Sequence, residues 1–297
     1  MKCLHPLTIP NKKFCEQSVL YLKGSLGYRP SRYIDVPCGK CEACLSLKRQ
    51  QWFFRLYYER EHSKNSYFIG LTYDDEHLPK DLRLNKRDVQ LFLKRLRKHI
   101  QPYKIRYFLV GEYGEDFGRP HYHLILFNWP DGYDLAKALK KCWDLCDPVR
   151  FDDSRSIQPL INARINYVCK YCLSTIDSDD PSAKTFMLCS RKPGIGFSYL
   201  TPAMVRHLQD QCDGMGFVEF HHVPLPRYYK EKVYDDEMKL NLSYHNYLRN
   251  EYDLDKYFKN NYSSDRKRVE PLWSQQQRIK KSKIRKTVKN GFKDEHI

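Results

Sequence analysis

The chain has no long apolar run. No stretch of about 18 consecutive apolar residues occurs among its 297 residues, so we expect no segment that spans a membrane. The ten N-terminal residues have no apolar centre of the kind that a secretory signal needs, so we expect no export signal. We find no internal repeat, which excludes a repeat architecture. With 41% hydrophobic residues, the chain can still form a packed core.

Acidic residues are scarce relative to basic ones. The chain has 36 Asp and Glu residues against 52 Lys and Arg residues, a formal net charge of +16. Because arrayed Lys and Arg release condensed counterions from phosphates, nucleic acid is the first candidate partner. A basic protein without a polyanionic partner is the alternative. The 23 tyrosines suit base stacking on single strands and equally suit an ordinary core.

Three of the eleven cysteines form the compact array Cys38-x-x-Cys41-x-x-Cys44. Without an export signal, we expect reduced thiols. Zinc takes four ligands, so an N-terminal residue has to complete such a site. The candidates are Cys3, His5 and Cys15. We favour Cys3 and predict a structural Zn²⁺ site. An iron–sulfur cluster fits the same spacing, and unliganded cysteines are the alternative.

Hydrophobic periodicity predicts alternating helices and strands after an irregular start. Prolines and glycines interrupt the first forty residues, where we expect no regular element. The elements predicted to follow are a helix at 42–62, a strand at 67–73, a helix at 85–100, strands at 105–112 and 121–128, a helix at 133–146, a strand at 157–161 and a helix at 162–174. The two middle strands should form an antiparallel hairpin. We predict an α+β fold, a central antiparallel sheet with packed helices.

The chain is expected to divide into four regions. They are a Cys-rich segment at 1–44, a domain at 45–176, an accessory region at 177–277 that begins with a linker-like SDDP sequence, and a basic tail at 278–297. The tail is rich in Lys and Arg, so it either binds phosphates or forms a solvated extension.

His121-Tyr122-His123 lies within an apolar predicted strand. Side chains alternate along a strand, which sends both imidazoles to one face and Tyr122 to the other. Two neutral imidazoles side by side suit a divalent metal. Glu112 ends the preceding strand, so we predict His121, His123 and Glu112 as ligands. Glu115 is the rival third ligand, and a hydrogen-bonded histidine pair without metal is the alternative. This set suits Mn²⁺ better than Mg²⁺, although abundant Mg²⁺ can serve.

Tyr167-Val168-Cys169-Lys170-Tyr171 lies on a predicted helix. Positions i and i+4 share a helix face, so the two tyrosines are stacked one turn apart, with Lys170 beside them. A phenol can attack a phosphodiester when a metal polarises the phosphate and a cation offsets the developing charge. We therefore predict Tyr167, Tyr171 and Lys170 as catalytic residues. Core packing of a tyrosine stripe is the alternative.

The order of these motifs resembles the HUH endonuclease superfamily. LTYDDEHLP is followed by GEYGEDFGRPHYHLILF and then by YVCKY on a helix. More closely, the chain resembles the replication initiators of gokushovirus-type microviruses. The segments that carry this likeness are PCGKCEAC, the RQQWFFR helix, GRPHYHLILF, YVCKYCLS and SRKPGIGFSYL. The resemblance is strongest over residues 36–175.

The resemblance implies a rolling-circle replication initiator with the HUH endonuclease fold. Such a protein nicks one strand of the origin through a 5′-phosphotyrosine intermediate and later rejoins the displaced strand. Carried onto this chain, His121 and His123 match the metal motif, while Tyr167, Tyr171 and Lys170 match the nucleophile motif. The implied partners are single-stranded and origin DNA, the host replication helicase and the host polymerase. The implied location is the cytoplasm of a bacterial host, without membrane association.

Two other functions remain open on the sequence. An HUH transposase or relaxase would share the metal and tyrosine chemistry. A non-catalytic zinc-containing nucleic-acid-binding phage protein would bind DNA and never cleave it. The residues that we predict to contact DNA are Lys94, Arg97, Lys98 and Arg119. For residues 72–76 a DNA contact and a strand-end cap are equally compatible with the sequence. Tyr122 stands where the family has an aliphatic residue, and we expect it to be only an apolar filler.

Overall fold

The computed structural model describes residues 3–24, 29–114, 118–171 and 185–244. These residues form two compact units. One is drawn from Lys48–Thr201, and the other from Met1–Leu47 together with Pro202–Ile297. None of the described helices is long and apolar enough to cross a membrane. The linker-like SDDP sequence and the basic tail at 278–297 lie outside the described residues.

Helices and strands alternate along most of the described chain. In order they are β1 (Leu7–Pro10), α1 (Phe14–Leu22), β2 (Tyr33–Val36), α2 (Glu42–Glu61), β3 (Ser66–Thr72), α3 (Lys86–His99), β4 (Arg106–Tyr113), β5 (Pro120–Phe127), α4 (Leu135–Cys142), β6 (Ile157–Pro159), α5 (Asn162–Tyr171), β7 (Met187–Cys189), α6 (Pro202–Gln211), β8 (Met215–Val218), β9 (His221–Pro224) and α7 (Arg227–Val233). The helices and strands predicted between residues 42 and 171 are all present, although α4 is shorter than expected.

A five-stranded sheet forms the centre of the unit at Lys48–Thr201. Its strand order is β6-β3-β5-β4-β7, and every adjacent pair is antiparallel. The α+β prediction, a central antiparallel sheet with packed helices, is confirmed. Residues 187–189 add the edge strand β7, further along the chain than the expected sheet domain at 45–176. The expected region boundaries at 44, 176 and 277 stay predictions.

Each face of the sheet carries its own apolar layer because side chains alternate along the strands. On one face, which we call the α3 face, Leu124 and Leu126 pack with α3 and α4. On the other, the α5 face, Ile125 and Phe127 pack with α2 and α5. Burial on both faces explains why β5 reads as a continuous apolar run.

Helix α3 shows how local sequence fixes an element of this sheet. Asn85 caps it, since its side-chain oxygen accepts hydrogen bonds from the amides of Arg87 at 2.9 Å and Asp88 at 3.4 Å. Its apolar residues are buried at i, i+3, i+4 and i+7, and they are Val89, Phe92, Leu93 and Leu96. The apolar stripe turns toward the sheet and leaves the basic stripe in solvent.

The expectation that the first forty residues lack regular structure is wrong. β1 pairs with β2 in antiparallel register from Leu7↔Val36 to Pro10↔Tyr33, and α1 lies between them. The prolines occupy the ends of these strands, where a missing amide donor costs little. Thr8 Oγ1 donates to Asp35 Oδ1 at 2.7 Å across the pair.

The C-terminal part of the described chain adds α6, the β8–β9 hairpin and α7. The hairpin turns through Glu219 and Phe220. Glu219 has a positive φ of 55°, the left-handed conformation that such short turns require. The turn has no glycine or asparagine, so the usual sequence signal for a hairpin is absent there.

Candidate metal centre and tyrosine helix

The β4–β5 hairpin brings a carboxylate and two imidazoles together on the α5 face. The register pairs Glu112 with His121 directly and Val110 with His123. Alternation then places His123 on the same face as His121, two residues further along β5. The three predicted ligands therefore meet at one end of the hairpin.

The two imidazoles converge on a single carboxylate oxygen. His121 Nε2 and His123 Nε2 each lie 2.6 Å from Glu112 Oε1. Glu112 and His123 are buried, and His121 is half-buried. The imidazole rings of His121 and His123 stand nearly perpendicular, at 87° and 5.3 Å between centroids. Glycine 114 leaves room for this packing, since a Cβ there would lie 3.4 Å from His121 Cε1.

The electrostatics of the cluster favour a carboxylate beside a protonated imidazole when no metal is bound. Burial tends to raise the pKa of Glu112, but hydrogen bonds and charge from His121 and His123 outweigh it and lower that pKa. Burial tends to lower the pKa of His121, and the hydrogen bond and charge of Glu112 reverse this, so that pKa is raised. The cluster thus already balances one positive against one negative charge.

The donor set fits a divalent metal ion. Ligand atoms of Glu112, His121 and His123 all lie within 4.8 Å of one another. Glu112 Oε2 is buried, and no described residue donates a hydrogen bond to it, so the carboxylate has unused coordinating capacity. His121 Nδ1 lies 3.1 Å from the Arg119 carbonyl oxygen. Donation there would fix the tautomer that leaves Nε2 as a ligand. Two nitrogens and one oxygen suit Mn²⁺ better than Mg²⁺.

Tyr167 lies against the metal ligand His123. The two rings meet edge-to-face, 5.1 Å apart at 82°. Phe68 completes the contact: it stacks on His123 at 5.4 Å and meets Tyr167 at 6.2 Å. Helix α5 supports this placement because Ile165 and Val168 are buried in the same layer of the core. The structure therefore brings one predicted nucleophile to the predicted ligands.

The other members of the predicted site are less fully described. Lys170 is half-buried, one helical turn after Tyr167. Tyr171 is the last residue of α5, and its side chain lies outside the described residues. Glu115, the rival third ligand, also lies outside them.

The predicted DNA contacts divide between the two sides of the sheet. Lys94, Arg97 and Lys98 are exposed on α3, which packs on the α3 face, opposite the metal ligands. Only Arg119 belongs to the hairpin that carries them. Its guanidinium donates to Asp75 Oδ1 at 2.6 Å and to the Tyr73 carbonyl oxygen at 3.2 Å.

Tyr122, between the two histidines, does more than fill the α3 face. Its hydroxyl lies 2.9 Å from the Tyr73 hydroxyl and accepts a hydrogen bond from the Asn85 amide at 2.8 Å. Tyr73 donates onward to Asp88 Oδ2 at 2.9 Å. Burial is the main cause that raises the pKa of both phenols. This chain ties the middle of the histidine motif to the start of α3, a link that the sequence pattern did not reveal.

Residues 72–76 contain a strand-end cap. Asp74 Oδ1 accepts a hydrogen bond from the His77 amide at 2.8 Å and lies 2.7 Å from His77 Nδ1. The Thr72 carbonyl accepts from Trp143 Nε1 at 2.7 Å. These contacts supply the structural role that the sequence left open for this segment.

A second cluster of ligand atoms lies in the other unit. It consists of Cys3, Cys38, Cys41 and Cys44, with sulfur atoms within 4.8 Å of one another. The shorter separations are 3.5 Å, 3.7 Å and 4.0 Å. A tetrahedral ion with Zn–S bonds of about 2.3 Å requires S···S distances of about 3.8 Å. The four sulfurs therefore stand at the corners of a site of zinc size.

Backbone amides in this cluster favour thiolates at two positions. Hydrogen bonds from the amides of Lys40 and Cys41 lower the pKa of Cys38. Burial works against ionisation of Cys41, but amide donors including Leu4 lower its pKa to about 6. Burial and the neighbouring sulfurs raise the pKa of Cys44 to about 12. A cation at the centre would relieve this repulsion. His5 and Cys15 are exposed and are not members of the group.

Comparison with known proteins identifies the class. Residues 66–176 match the family model of the replication-associated protein ORF2. The chain is 32% identical over 225 residues to replication-associated protein ORF2 of Spiroplasma virus 4, covering 67% of this chain and 69% of that protein. It is 26% identical over 243 residues to replication-associated protein ORF4 of Chlamydia phage 1, covering 72% of this chain and 58% of that protein.

A third relative is replication-associated protein VP4 of Bdellovibrio phage phiMH2K, 38% identical over 103 residues, or 32% of each chain. The chain thus spans less than two thirds of the Chlamydia phage 1 and phiMH2K proteins. No solved structure matches the chain. The chain belongs to the family of phage replication-associated proteins.

Proposed function

We propose that the chain is a rolling-circle replication initiator of the HUH endonuclease type. It nicks one strand at the origin, keeps the 5′ phosphate on a tyrosine and later rejoins the displaced strand. The observation that carries the proposal is the contact between Tyr167 and His123, one of three converging ligands. A phenol beside a metal ligand on a sheet face is what tyrosine phosphotransfer needs. The phage replication family supports the same biological role.

Tyr167 and Tyr171 are the nucleophiles in this proposal, and the bond balance is simple. The phenol oxygen forms a bond to phosphorus, the bond from phosphorus to the 3′ oxygen breaks, and the phenol proton ends on that oxygen. A divalent ion held by Glu112, His121 and His123 would polarise the scissile phosphate. Lys170 offsets the negative charge that develops on the phosphate. Because the phosphotyrosine conserves the bond, rejoining needs no ATP.

Two tyrosines one turn apart allow one site to start and to finish a round. Tyr167 and Tyr171 are separated by about 5.4 Å along the helix axis. When synthesis regenerates the origin, one tyrosine still carries the old 5′ end. The other can cut the new origin, and the released 3′ hydroxyl can then attack the first linkage.

The proposed cofactors differ between the two clusters. Mn²⁺ or Mg²⁺ serves the nicking site, where the ligands are Glu112 and the two histidines. Structural Zn²⁺ serves the cysteine cluster, where the sulfur separations of 3.5 Å to 4.0 Å suit a tetrahedral ion. The proposed partners are single-stranded and origin DNA, followed by the host helicase and polymerase that extend the free 3′ hydroxyl in the host cytoplasm.

Nicking of circular origin DNA by the purified chain tests this proposal. The variant His121→Ala should bind DNA with unchanged affinity and nick at least about a hundredfold more slowly, because a ligand is lost. The control His207→Ala removes an exposed histidine of α6 and should nick normally. Chelation of the wild type should match His121→Ala. Full nicking by His121→Ala would refute the metal site, and DNA binding without nicking by the wild type would favour a non-catalytic binder.

A further inference from the structure

A turn at residues 191–197, which we call the arginine turn, is fixed by a buried ion pair. Arg106 of β4 pairs with Glu59 of α2, and Glu59 is only 5% exposed. The Arg106 guanidinium donates to the carbonyl oxygens of Pro193 at 2.9 Å and Gly194 at 3.1 Å. The Gly196 amide donates to Glu59 Oε2 at 2.6 Å. One ion pair therefore holds the backbone of the turn at three points.

Helix α2 anchors the arginine turn a second time. Arg55 Nε donates to the Ile195 carbonyl oxygen at 3.0 Å, and its guanidinium lies 4.3 Å from the centroid of the Trp52 ring. The Ile195 side chain is fully buried on the α5 face. With backbone and side chain both held, the turn presents its remaining side chains in a fixed arrangement.

What the arginine turn presents is positive charge and an aromatic ring. Arg191 and Lys192 are exposed, and neither forms an ion pair with a residue that the structure describes. Phe197 is 42% exposed. Burial raises the pKa of Cys189 while Arg55, Arg191 and Arg106 oppose that rise, so several guanidinium groups gather around the base of the turn.

The arginine turn lies on the same face of the sheet as the metal ligands. Arg106 and Glu112 are six residues apart on β4, an even number, so alternation puts both on the α5 face. Six residues of strand span about 20 Å. At about 3.4 Å per stacked nucleotide, this distance corresponds to roughly six nucleotides.

We propose that the arginine turn binds the phosphate backbone of the nicked strand, about six nucleotides from the scissile phosphate. This inference rests on the proposed nicking function and assigns the DNA-contact role to a surface other than α3. Arg191 and Lys192 contact phosphates, and Phe197 offers a ring on which a base can stack. Such a contact would hold the strand in place while the tyrosine acts.

Binding of single-stranded oligonucleotides in the presence of a chelator tests the inference without cleavage. The variant R191A/K192A should lose about two phosphate contacts, which would flatten the slope of log affinity against log salt by about 1.4. The loss should require length. Two series of origin oligonucleotides, extended stepwise on the 5′ or the 3′ side of the nick, should show it on one side only, beyond about six nucleotides.

A matched control removes the same charge elsewhere. K137A/K141A takes two exposed lysines from α4, on the α3 face of the sheet, and should leave the salt slope and the length threshold unchanged. R191Q/K192Q serves as a second variant that keeps side-chain bulk. Both exposed pairs should leave the melting temperature within about 2 °C of the wild type.

The outcomes separate this inference from the proposed function. A wild type that nicks, with R191A/K192A binding every length as the wild type does, would overturn the inference alone and would favour an acidic protein as occupant of the turn. A wild type that never nicks, with a length-dependent loss in R191A/K192A, would overturn the nicking function and leave a DNA-binding surface. A loss equal to that of K137A/K141A at all lengths would also overturn the inference.

Discussion

Replacing Tyr122 by phenylalanine removes one oxygen atom from the back of the histidine motif. The ring stays buried, so apolar packing is preserved. The lost hydroxyl contacts the Tyr73 hydroxyl at 2.9 Å, the Asn85 amide at 2.8 Å and the Asn85 carbonyl oxygen at 3.3 Å. The substitution therefore leaves an amide donor and a phenol without their partner in the core.

The expected cost follows from those contacts. Each net hydrogen bond contributes about 1 kcal/mol, and a buried donor left without a partner costs about 1–3 kcal/mol. We expect Tyr122→Phe to lower the free energy of unfolding by about 2–4 kcal/mol. For a chain of this size, that is a drop in melting temperature of roughly 5–15 °C.

Urea unfolding followed by circular dichroism measures this loss. Tyr107→Phe is the matched control, because Tyr107 lies on the α3 face of β4 with its ring under the Arg97 guanidinium at 5.0 Å. That control should change stability by about 0.5 kcal/mol or less. Equal stability of Tyr122→Phe and Tyr107→Phe would refute the structural role of the Tyr122 hydroxyl.

Two further predictions concern the metal sites. Since Glu112 raises the pKa of His121 above its usual value, protons compete with metal at that ring, and Mn²⁺ affinity should fall by up to about tenfold per pH unit as pH is lowered through the raised pKa. Calorimetric Mn²⁺ titration at about pH 8 and about pH 6 checks this, and equal affinities would argue against His121 as a ligand. Cys41→Ser should lower the zinc content of the purified protein and lower stability by about 3 kcal/mol or more. Elemental analysis checks it beside Cys15→Ser, which removes an exposed thiol and should have little effect; wild type without zinc would count against the site.

The sheet and the ligand hairpin could be predicted because their signals are local. β5 is an apolar run, and the hairpin register follows from strand alternation once two adjacent strands are recognised. Helix α3 has both an amphipathic stripe and an Asn85 cap, so its start was predicted correctly. Local pattern and tertiary packing agree in these segments.

The segments that sequence reasoning missed depend on contacts between distant residues. β1 and β2 are four residues each, and pairing rather than periodicity creates them. β7 has three residues and exists because it adds to the edge strand β4. The arginine turn is shaped by Glu59 and Arg106, which lie 47 residues apart, so neither residue signals the turn in the sequence.

The basic stripe of α3 illustrates a further limit. Periodicity correctly exposed Lys94, Arg97 and Lys98, but it cannot say on which face of a sheet a helix packs. Because α3 lies opposite the metal ligands, those cations do not line the site. The hydroxyl of Tyr122 was missed for a related reason, since its partners become neighbours only when α3 packs on the sheet.

The covalent link between protein and DNA tests the proposed tyrosine chemistry most directly. Wild type, Tyr167→Phe, Tyr171→Phe and the double variant are incubated with labelled origin DNA and metal, and the adduct is read on a denaturing gel. If the two phenols act alternately, each single variant should still form an adduct and the double variant should form none. An adduct in the double variant would contradict the assignment of these nucleophiles. Loss of every adduct in one single variant would contradict the alternating mechanism.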